Sequence, residues 1–244
     1  MEVYLNRIDG IDDALISMYL SKRTLTRALE MEIRNEVAEN SFMHISPEGP
    51  IGRLTECSGH LKELLGRLCR WGAQHITMLR FVDLSFTVYG MHRAGQDDID
   101  SHAMRMNNRI IRSSTRLADF SQGETSAYYA DKIIPTDIAL AYLGIKTPDE
   151  IEYDGKTYVR GTNGYIVKGM ENSHDVKRGL YMLSIPSNFI FRINLTEFAH
   201  VYKERNANGG ANPEVKQAAE SMADQVEKAT QGIFNRQLLL DIKN

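Results

Sequence analysis

The sequence has few cysteines and no long apolar run. Cys57 and Cys69 are the two cysteines among 244 residues, which excludes a disulfide framework and fits a reducing compartment. No stretch approaches the roughly 18 apolar residues that a membrane-spanning helix needs. The N-terminal residues also lack the basic and apolar segments of a signal peptide. We therefore expect a cytoplasmic protein.

The chain also lacks a strong net charge, since its formal charge is −3 at pH 7. Such a balance gives no general attraction for nucleic acid, so an anion site must come from local clusters of arginine and lysine. The sequence shows no glycine-rich phosphate loop, internal repeat or interdomain linker. Its length and a hydrophobic share of 42% predict one domain over residues 1–244.

Hydrophobic periodicity along the first part of the chain changes from strand to helix and back. Residues 1–8 alternate as an edge strand does, and residues 11–40 indicate one or two helices with a break near 21–24. Residues 56–71 carry apolar side chains at helical spacing, whereas residues 82–89 alternate in the pattern of a half-buried strand. This mixture predicts an α+β fold.

Turn and cap residues organise the second part of the chain. A short helix is predicted at 137–142, and the pairs Asp154-Gly155 and Asn163-Gly164 indicate hairpin turns. Residues 188–193 form a further strand candidate. Asn212-Pro213 has the residue types that begin a helix, which predicts a last long helix.

One predicted helix has polar residues at both ends of an apolar face. Asn194 and Arg205 are eleven residues apart, almost three turns, so they point the same way, and Phe198 and Val201 share their face. Such ends often border a pocket. The alternative is that Asn194 only caps the helix and Arg205 only neutralises its C-terminus.

A cluster of arginines follows the strand at 82–89. Arg105, Arg109, Arg112 and Arg116 would line one face of a continuous helix and repel one another unless an anion lay across them. Arginine also suits bidentate phosphate binding. The alternative is a solvated basic stripe that pairs with nearby aspartates.

The same stretch contains the ligand types of a divalent-metal hydrolase site. These residues are His92, Asp97, Asp98, Asp100 and His102. Their spacing matches no metal motif, so we keep a metal-dependent nucleotide hydrolase as an alternative only and assign no metal ligand.

Several segments, in order, resemble the flavin-dependent thymidylate synthases (ThyX). They are His75-Ile76-Thr77, the strand ending Ser85-Phe86-Thr87-Val88, Gly90-Met91-His92-Arg93-Ala94, Arg178, the run Asn194 to His200, Arg205 and Ala211-Asn212-Pro213-Glu214-Val215. The resemblance implies a ThyX-like single domain with a central antiparallel sheet and several long helices.

One motif departs from the family pattern. The family signature is Arg-His-Arg, seven residues, then Ser, usually ending Ser-x-Arg. Here Ser114-Thr115-Arg116 fits the ending, whereas Ser101-His102-Ala103-Met104-Arg105 does not fit the beginning, and about two extra residues intervene. The glutamine that reads uracil in the family would fall near Asp98, with Gln96 two residues away.

The resemblance implies a role for each matching position. The implied nucleotide-binding residues are Gln96, Asp98, Ser114, Thr115, Arg116, Arg178 and Arg205. The implied FAD-binding residues are Ser21, His75, Thr77, His102, Arg105, Asn194 and His200. Arg205, expected near the base, is the catalytic candidate, because a guanidinium beside the pyrimidine carbonyl stabilises charge developing on the ring.

The implied reaction is C5 methylation of dUMP to dTMP by a homotetramer with shared active sites. Methylenetetrahydrofolate supplies the carbon unit and NADPH reduces FAD, so no protein thiol is needed. This agrees with the expectation that Cys57 and Cys69 are core residues. Two alternatives within the resemblance are a paralogue that methylates UMP or a related pyrimidine nucleotide, and a member that binds nucleotide without catalysis.

Overall fold

A computed structural model describes residues 1–39, 44–46, 49–51, 58–102, 109–114, 125–206 and 212–243. For 44–46, 49–51, His102, Arg109, His174, Asp175 and Arg178 it describes the backbone without the side chain. The candidates Arg105, Thr115 and Arg116, together with Cys57, lie outside the described residues.

Strands and helices are mixed along the chain. The strands are β1 (Glu2–Asp9), β2 (His44–Ser46), β3 (Gly49–Ile51), β4 (Asp83–His92), β5 (Arg109–Arg112), β6 (Glu150–Tyr153), β7 (Lys156–Gly161), β8 (Gly164–Val167) and β9 (Pro186–Asn194). The helices are α1 (Ile11–Ser21), α2 (Arg27–Glu39), α3 (Gly59–Gly72), α4 (Arg93–His102), α5 (Thr136–Tyr142), α6 (His174–Lys177), α7 (Leu195–Asn206), α8 (Pro213–Ala229) and α9 (Arg236–Asp241). Short 3₁₀ turns occupy Leu79–Phe81 and Arg178–Leu180. None of the helices in this part of the chain is both long and apolar enough to cross a membrane.

The largest sheet has the strand order β1-β4-β9-β5. The strand predicted at residues 1–8 is β1, and it lies at an edge as expected. β2 pairs with β3, and β6-β7-β8 form an antiparallel sheet of three strands. Antiparallel sheets combined with several long helices confirm the α+β class.

The chain divides into two compact units. The hairpin unit comprises Met1, Tyr89–Gln96 and Arg112–Phe189. The helical unit comprises Glu2–Val88, Asp97–Ile111 and Ile190–Asn244. The single domain over 1–244 stays a prediction.

The apolar face of α8 forms much of the core of the helical unit. Val215 and Met222 are buried on it at the spacing that the sequence predicts. Gln225 on the same helix accepts a hydrogen bond from the Leu5 N–H at 2.6 Å and donates one to the Val3 carbonyl. The side-chain amide thereby satisfies backbone groups of edge strand β1 that would otherwise be open to another strand.

Short α9 is tied to α8 by one arginine. Arg236 contacts Glu227 at 2.6 Å, Glu220 at 3.3 Å and Asp224 at 3.5 Å. Burial opposes the charge of Arg236, but hydrogen bonds to Glu227 and Glu220 outweigh it and hold the pKa of Arg236 above its ordinary value. The pKa of Asp224 is lowered, chiefly by its hydrogen bond to Lys228.

Helix α1 begins at a position that requires glycine. Gly10 has φ +74°, a left-handed conformation in which a side chain is strained. A Cβ there would also lie 2.0 Å from the carbonyl oxygen of Phe81. The start of α1 therefore lies directly against the 3₁₀ turn that precedes β4.

The hairpin unit contains the turns predicted from dipeptides. Asp154 and Gly155 have φ +49° and +71°, and they connect β6 to β7. Asn163, with φ +59°, connects β7 to β8. Asparagine, aspartate and glycine tolerate these left-handed conformations best, which explains why the sequence signals were reliable.

Two predictions of local structure need correction. Residues 109–112 form strand β5, so the continuous helix that would place four arginines on one face is wrong over that range. Helix α3 begins at Gly59 because Ser58 caps it, accepting from the Leu61 N–H at 3.1 Å, whereas the sequence suggested a start near residue 56. The spacing of apolar residues does not locate a cap, and the pairing of β5 with β9 is a long-range interaction.

Candidate functional site

Asn194 ends β9 and caps α7 inside the helical unit. Its Oδ1 accepts hydrogen bonds from the Thr196 N–H at 3.1 Å, the Thr196 hydroxyl at 2.7 Å and the Glu197 N–H at 3.0 Å. The side chain is buried. Because Oδ1 is committed to the cap, a ligand at Asn194 would be met by the hydrogens on Nδ2.

Arg205 lies near the other end of α7 with its side chain buried. It is 7% exposed, and Nη2 donates to the main-chain carbonyl of Asp98. Its Nε has no hydrogen-bond partner among the residues that the structure describes. A buried guanidinium with an unused donor suits an anionic or carbonyl ligand, because leaving such a donor unpaired is unfavourable.

Apolar side chains join these two polar positions. Phe198 and Val201 are buried on α7, and the Phe198 ring packs against Phe86 of β4 at 5.6 Å between centroids. The predicted apolar face is therefore confirmed, and its side chains are buried in the core rather than exposed to solvent. His200 on the same helix is half-buried.

A second polar surface of the helical unit joins the ends of α1 and α3. We call it the Trp71 surface, and it consists of Ser21, Lys22, Trp71 and His75. The Lys22 ammonium lies 3.3 Å from the centroid of the Trp71 ring, a cation–π contact, and the His75 ring is 6.3 Å from the same ring. Ser21 ends α1, and its hydroxyl donates to the Met18 carbonyl at 2.8 Å. The structure thus links two predicted FAD-binding residues, Ser21 and His75, through two residues that the sequence did not single out.

Lys22 and Trp71 were missed for different reasons. Lys22 stands beside Ser21, an implied FAD-binding residue, so its charge was a visible signal. Trp71 was assigned to the apolar face of α3, but its side chain is 37% exposed and it carries Lys22. Thr77, two residues beyond His75, is exposed as well.

The two candidates for reading uracil differ in environment. Gln96, in the hairpin unit, is fully buried; its Nε2 donates to the Met91 carbonyl at 3.2 Å, and its Oε1 has no partner among the described residues. Asp98, in the helical unit, meets Arg205 through its carbonyl oxygen. Arg205 and Asp98, two of the predicted nucleotide-binding residues, are therefore in contact.

The remaining candidates are placed only in part. Ser114 follows β5 and is half-buried, next to Ser113, whose N–H donates to the Asn188 carbonyl at 2.9 Å. His102 ends α4 and Arg178 begins a 3₁₀ turn, both with backbone alone described. Ser114 and Arg178 belong to the hairpin unit, whereas Arg205 belongs to the helical unit.

His92 of the alternative metal site is buried in an aromatic cluster of the hairpin unit. Its ring lies 5.0 Å from the ring of Tyr129 and 6.2 Å from that of Tyr128. Gly95 makes room for it, since a Cβ there would lie 2.7 Å from His92 Cε1. Among the side chains that the structure describes, no group of three potential metal ligands is found.

Cys69 is a half-buried thiol. Its Sγ donates to the Ile233 carbonyl at 3.6 Å, and burial raises its pKa to about 12. A thiol with such a pKa is almost entirely protonated near neutral pH and makes a poor nucleophile. Cys69 is therefore less buried than the predicted core residue, and Cys57 lies outside the described residues.

Comparison with solved structures shows that the chain has the fold of the flavin-dependent thymidylate synthases. ThyX from Helicobacter pylori, solved with FAD and dUMP, matches 98% of this chain and 100% of its own length, with a TM-score of 0.55 and 14% identity. A second structure of that enzyme with FAD and dUMP matches 100% of both chains, with a TM-score of 0.53 and 12% identity. The UMP/dUMP methylase PolB from Streptomyces cacaoi, bound with 5-Br dUMP, matches 96% of this chain and 92% of its own, with a TM-score of 0.49 and 13% identity.

No family model and no curated protein matches the chain. The two ThyX structures nevertheless confirm, at the level of the fold, the resemblance predicted from the sequence motifs.

Proposed function

We propose that the protein is an FAD-dependent enzyme that methylates C5 of a uracil nucleotide, converting dUMP to dTMP with methylenetetrahydrofolate and NADPH. The fold supports this proposal, because it is shared with enzymes solved with FAD and dUMP. The observation that carries it is the buried Arg205, held by the Asp98 carbonyl and retaining an unused Nε donor among the described residues.

Arg205 is the residue we assign to the pyrimidine. With Nη2 fixed on Asp98, the guanidinium has a defined orientation before the nucleotide binds, so little conformational freedom is lost on binding. A donor aimed at a pyrimidine carbonyl stabilises negative charge that develops on the ring during attack at C5. Arg178, Arg116, Thr115, Ser114, Gln96 and Asp98 complete the proposed nucleotide contacts.

The residues of the helical unit fit the chemistry of FAD. The Trp71 surface offers an ammonium, an imidazole and a hydroxyl, which suit a diphosphate, and an aromatic ring beside them. Asn194 offers its Nδ2 hydrogens, and Thr77 and His200 add further polar groups. When bound, FAD in its reduced form supplies the hydride of the reaction. His102 and Arg105 stay as proposed contacts, as does assembly into a homotetramer.

The first test is the visible spectrum of the purified protein after FAD is added and the excess removed. We expect a retained flavin band that shifts when dUMP is added. Titration with UMP under the same conditions tests the alternative substrate that the altered Ser101-His102-Ala103 motif suggests. A protein that retains no flavin and responds to neither nucleotide would contradict the proposal.

Substitution of Arg205 tests the assigned nucleotide contact. Hydrogen bonds to a charged group contribute about 1.5–3 kcal/mol, so Arg205→Ala should weaken dUMP binding about 10- to 150-fold. Arg67→Ala is the matched control, since Arg67 is exposed and paired with Glu63 on the surface of α3. Circular dichroism checks that both variants fold. Equal dUMP affinity in the parent and in folded Arg205→Ala would remove the assignment.

A further inference from the structure

The hairpin unit contains a cavity whose lining residues are not among the proposed nucleotide or FAD contacts. Its volume is about 290 Å³, near the lower end of the volumes of small-molecule sites. Strands β7 and β8 form one side of it, and the other side is formed by Glu171, Asn172, Lys177, Leu180 and Tyr181.

The floor of the cavity is apolar and depends on two glycines. Leu180 and Ile166 supply its surface. A Cβ on Gly161 would lie 3.1 Å from Leu180 Cδ1 and 3.2 Å from Ile166 Cδ1, and one on Gly164 would lie 2.8 Å from Leu180 Cδ2. Leu180 therefore packs directly on the backbone of the β7–β8 hairpin, which gives the floor a fixed shape.

Two cations line the cavity without a strong partner. Arg160 has one carboxylate within ion-pair range among the described residues, Asp137 at 3.8 Å, which is beyond hydrogen-bond distance. The other oxygen of Asp137 already accepts from the Asn163 N–H at 2.9 Å. Lys177 forms no ion pair with any carboxylate that the structure describes. Both cations line the same cavity, so a negatively charged group inside it is favoured.

One acid stands among these groups. Glu171 Oε2 accepts from the Gly169 N–H at 2.8 Å, and this hydrogen bond lowers the pKa of Glu171, which stays ionised at neutral pH. Glu171 is ion-paired with neither Arg160 nor Lys177. The lining residues that the structure describes therefore carry two positive charges and one negative charge, with a place for a hydrogen-bond donor of the ligand beside Glu171.

We propose that this cavity binds a small organic anion, a carboxylate or phosphate group attached to an apolar body. The anionic group lies between Arg160 and Lys177, where the planar guanidinium matches two oxygens. The apolar body lies on Leu180 and Ile166. The proposal does not depend on the methylation reaction.

Isothermal titration calorimetry of the full chain tests the site with defined probes. Benzoate and phenyl phosphate carry both features, inorganic phosphate lacks the apolar body, and benzyl alcohol lacks the charge. We expect saturable binding of at least one aromatic anion, with affinity at least tenfold above those of inorganic phosphate and benzyl alcohol.

Three variants locate the binding. Arg160→Gln and Lys177→Gln should each weaken binding of the aromatic anion at least fivefold. Lys228→Gln is the matched control, because Lys228 is exposed on α8, pairs with Asp224 and does not line the cavity. Glu171→Gln should strengthen anion binding, since it removes a negative charge. A gain in affinity also separates the charge effect from any loss of folding.

Three outcomes would overturn the proposal. The first is no saturable binding of either aromatic anion. The second is equal affinity in the parent, Arg160→Gln and Lys177→Gln. The third is loss of the anion both on addition of dUMP and in Arg205→Ala, which would assign the bound anion to the proposed nucleotide site instead. Failure of the parent to bind FAD or dUMP would leave this cavity unaffected.

Discussion

Replacement of Asn194 separates its role as a helix cap from its proposed contact with FAD. In Asn194→Ala, the N–H groups of Thr196 and Glu197 and the Thr196 hydroxyl lose their acceptor in a buried environment. Loss of an N-cap costs about 0.5–2 kcal/mol, and a buried donor left unpaired costs about 1–3 kcal/mol. We expect the free energy of unfolding to fall by about 2–4 kcal/mol.

Asn194→Asp is the matched variant. A carboxylate oxygen accepts the same three hydrogen bonds, and a negative charge at the start of α7 is favoured by about 0.3–1 kcal/mol. That gain offsets part of the cost of burying the charge, so we expect stability within about 1 kcal/mol of the parent. The aspartate lacks the Nδ2 hydrogens, so FAD binding should weaken.

Urea denaturation followed by circular dichroism measures the stability of both variants, and quenching of flavin fluorescence measures their affinity for FAD. An Asn194→Ala protein as stable as the parent would refute the reasoning about the cap. If Asn194→Asp kept full affinity for FAD, the assigned contact through Nδ2 would be wrong, while the role as a cap would stand.

Three further predictions concern stability and reactivity. Arg236→Gln should lower the free energy of unfolding by only about 1 kcal/mol, because the side chain is 38% exposed and its ion pairs are screened by water. Urea denaturation measures this loss, and an unchanged free energy of unfolding would contradict the prediction. Lys228, and to a smaller extent Arg236, lower the pKa of Asp224 in the folded state, so its contribution is present above the ordinary value of 3.8 and is lost as the pH falls. The part due to Arg236 is absent from Arg236→Gln, so the difference in stability between parent and variant should shrink in acid. Gly10→Ala should cost about 1–3 kcal/mol or more, measured by thermal unfolding, and an unchanged melting temperature would refute the strain inferred at its positive φ. Cys69 should react with a thiol reagent at pH 8 far more slowly in the folded protein than in urea, measured in a Cys57→Ser background, and equal rates would show that the thiol is accessible.

Features that depend on neighbouring residues were predictable from the sequence. Asn212 caps α8, accepting from the Glu214 N–H at 2.9 Å. This was predictable because asparagine is favoured at the N-cap and proline at the first position of a helix. Asp154-Gly155 forms a turn for an equally local reason, as both residues tolerate positive φ. The apolar face of α8 follows from its spacing alone.

Features that depend on distant partners were not predictable in the same way. Residues 109–112 have a spacing compatible with a helix, but they pair beside β9 as a strand. The Trp71 surface depends on the end of α1 meeting the end of α3, and the 48 residues between Lys22 and Trp71 do not reveal that contact. The contact of Arg205 with Asp98 uses a main-chain atom, which has no signature in the order of side chains.

The carbonyl that orients Arg205 is a group that all twenty amino acids possess. Any residue that preserves the backbone of α4 at position 98 supplies the same acceptor, so this contact does not depend on the side chain at that position. A motif whose sequence has diverged can therefore still orient Arg205 through its main chain. For Arg205, what matters at position 98 is where the backbone carbonyl lies, and not which side chain the residue carries.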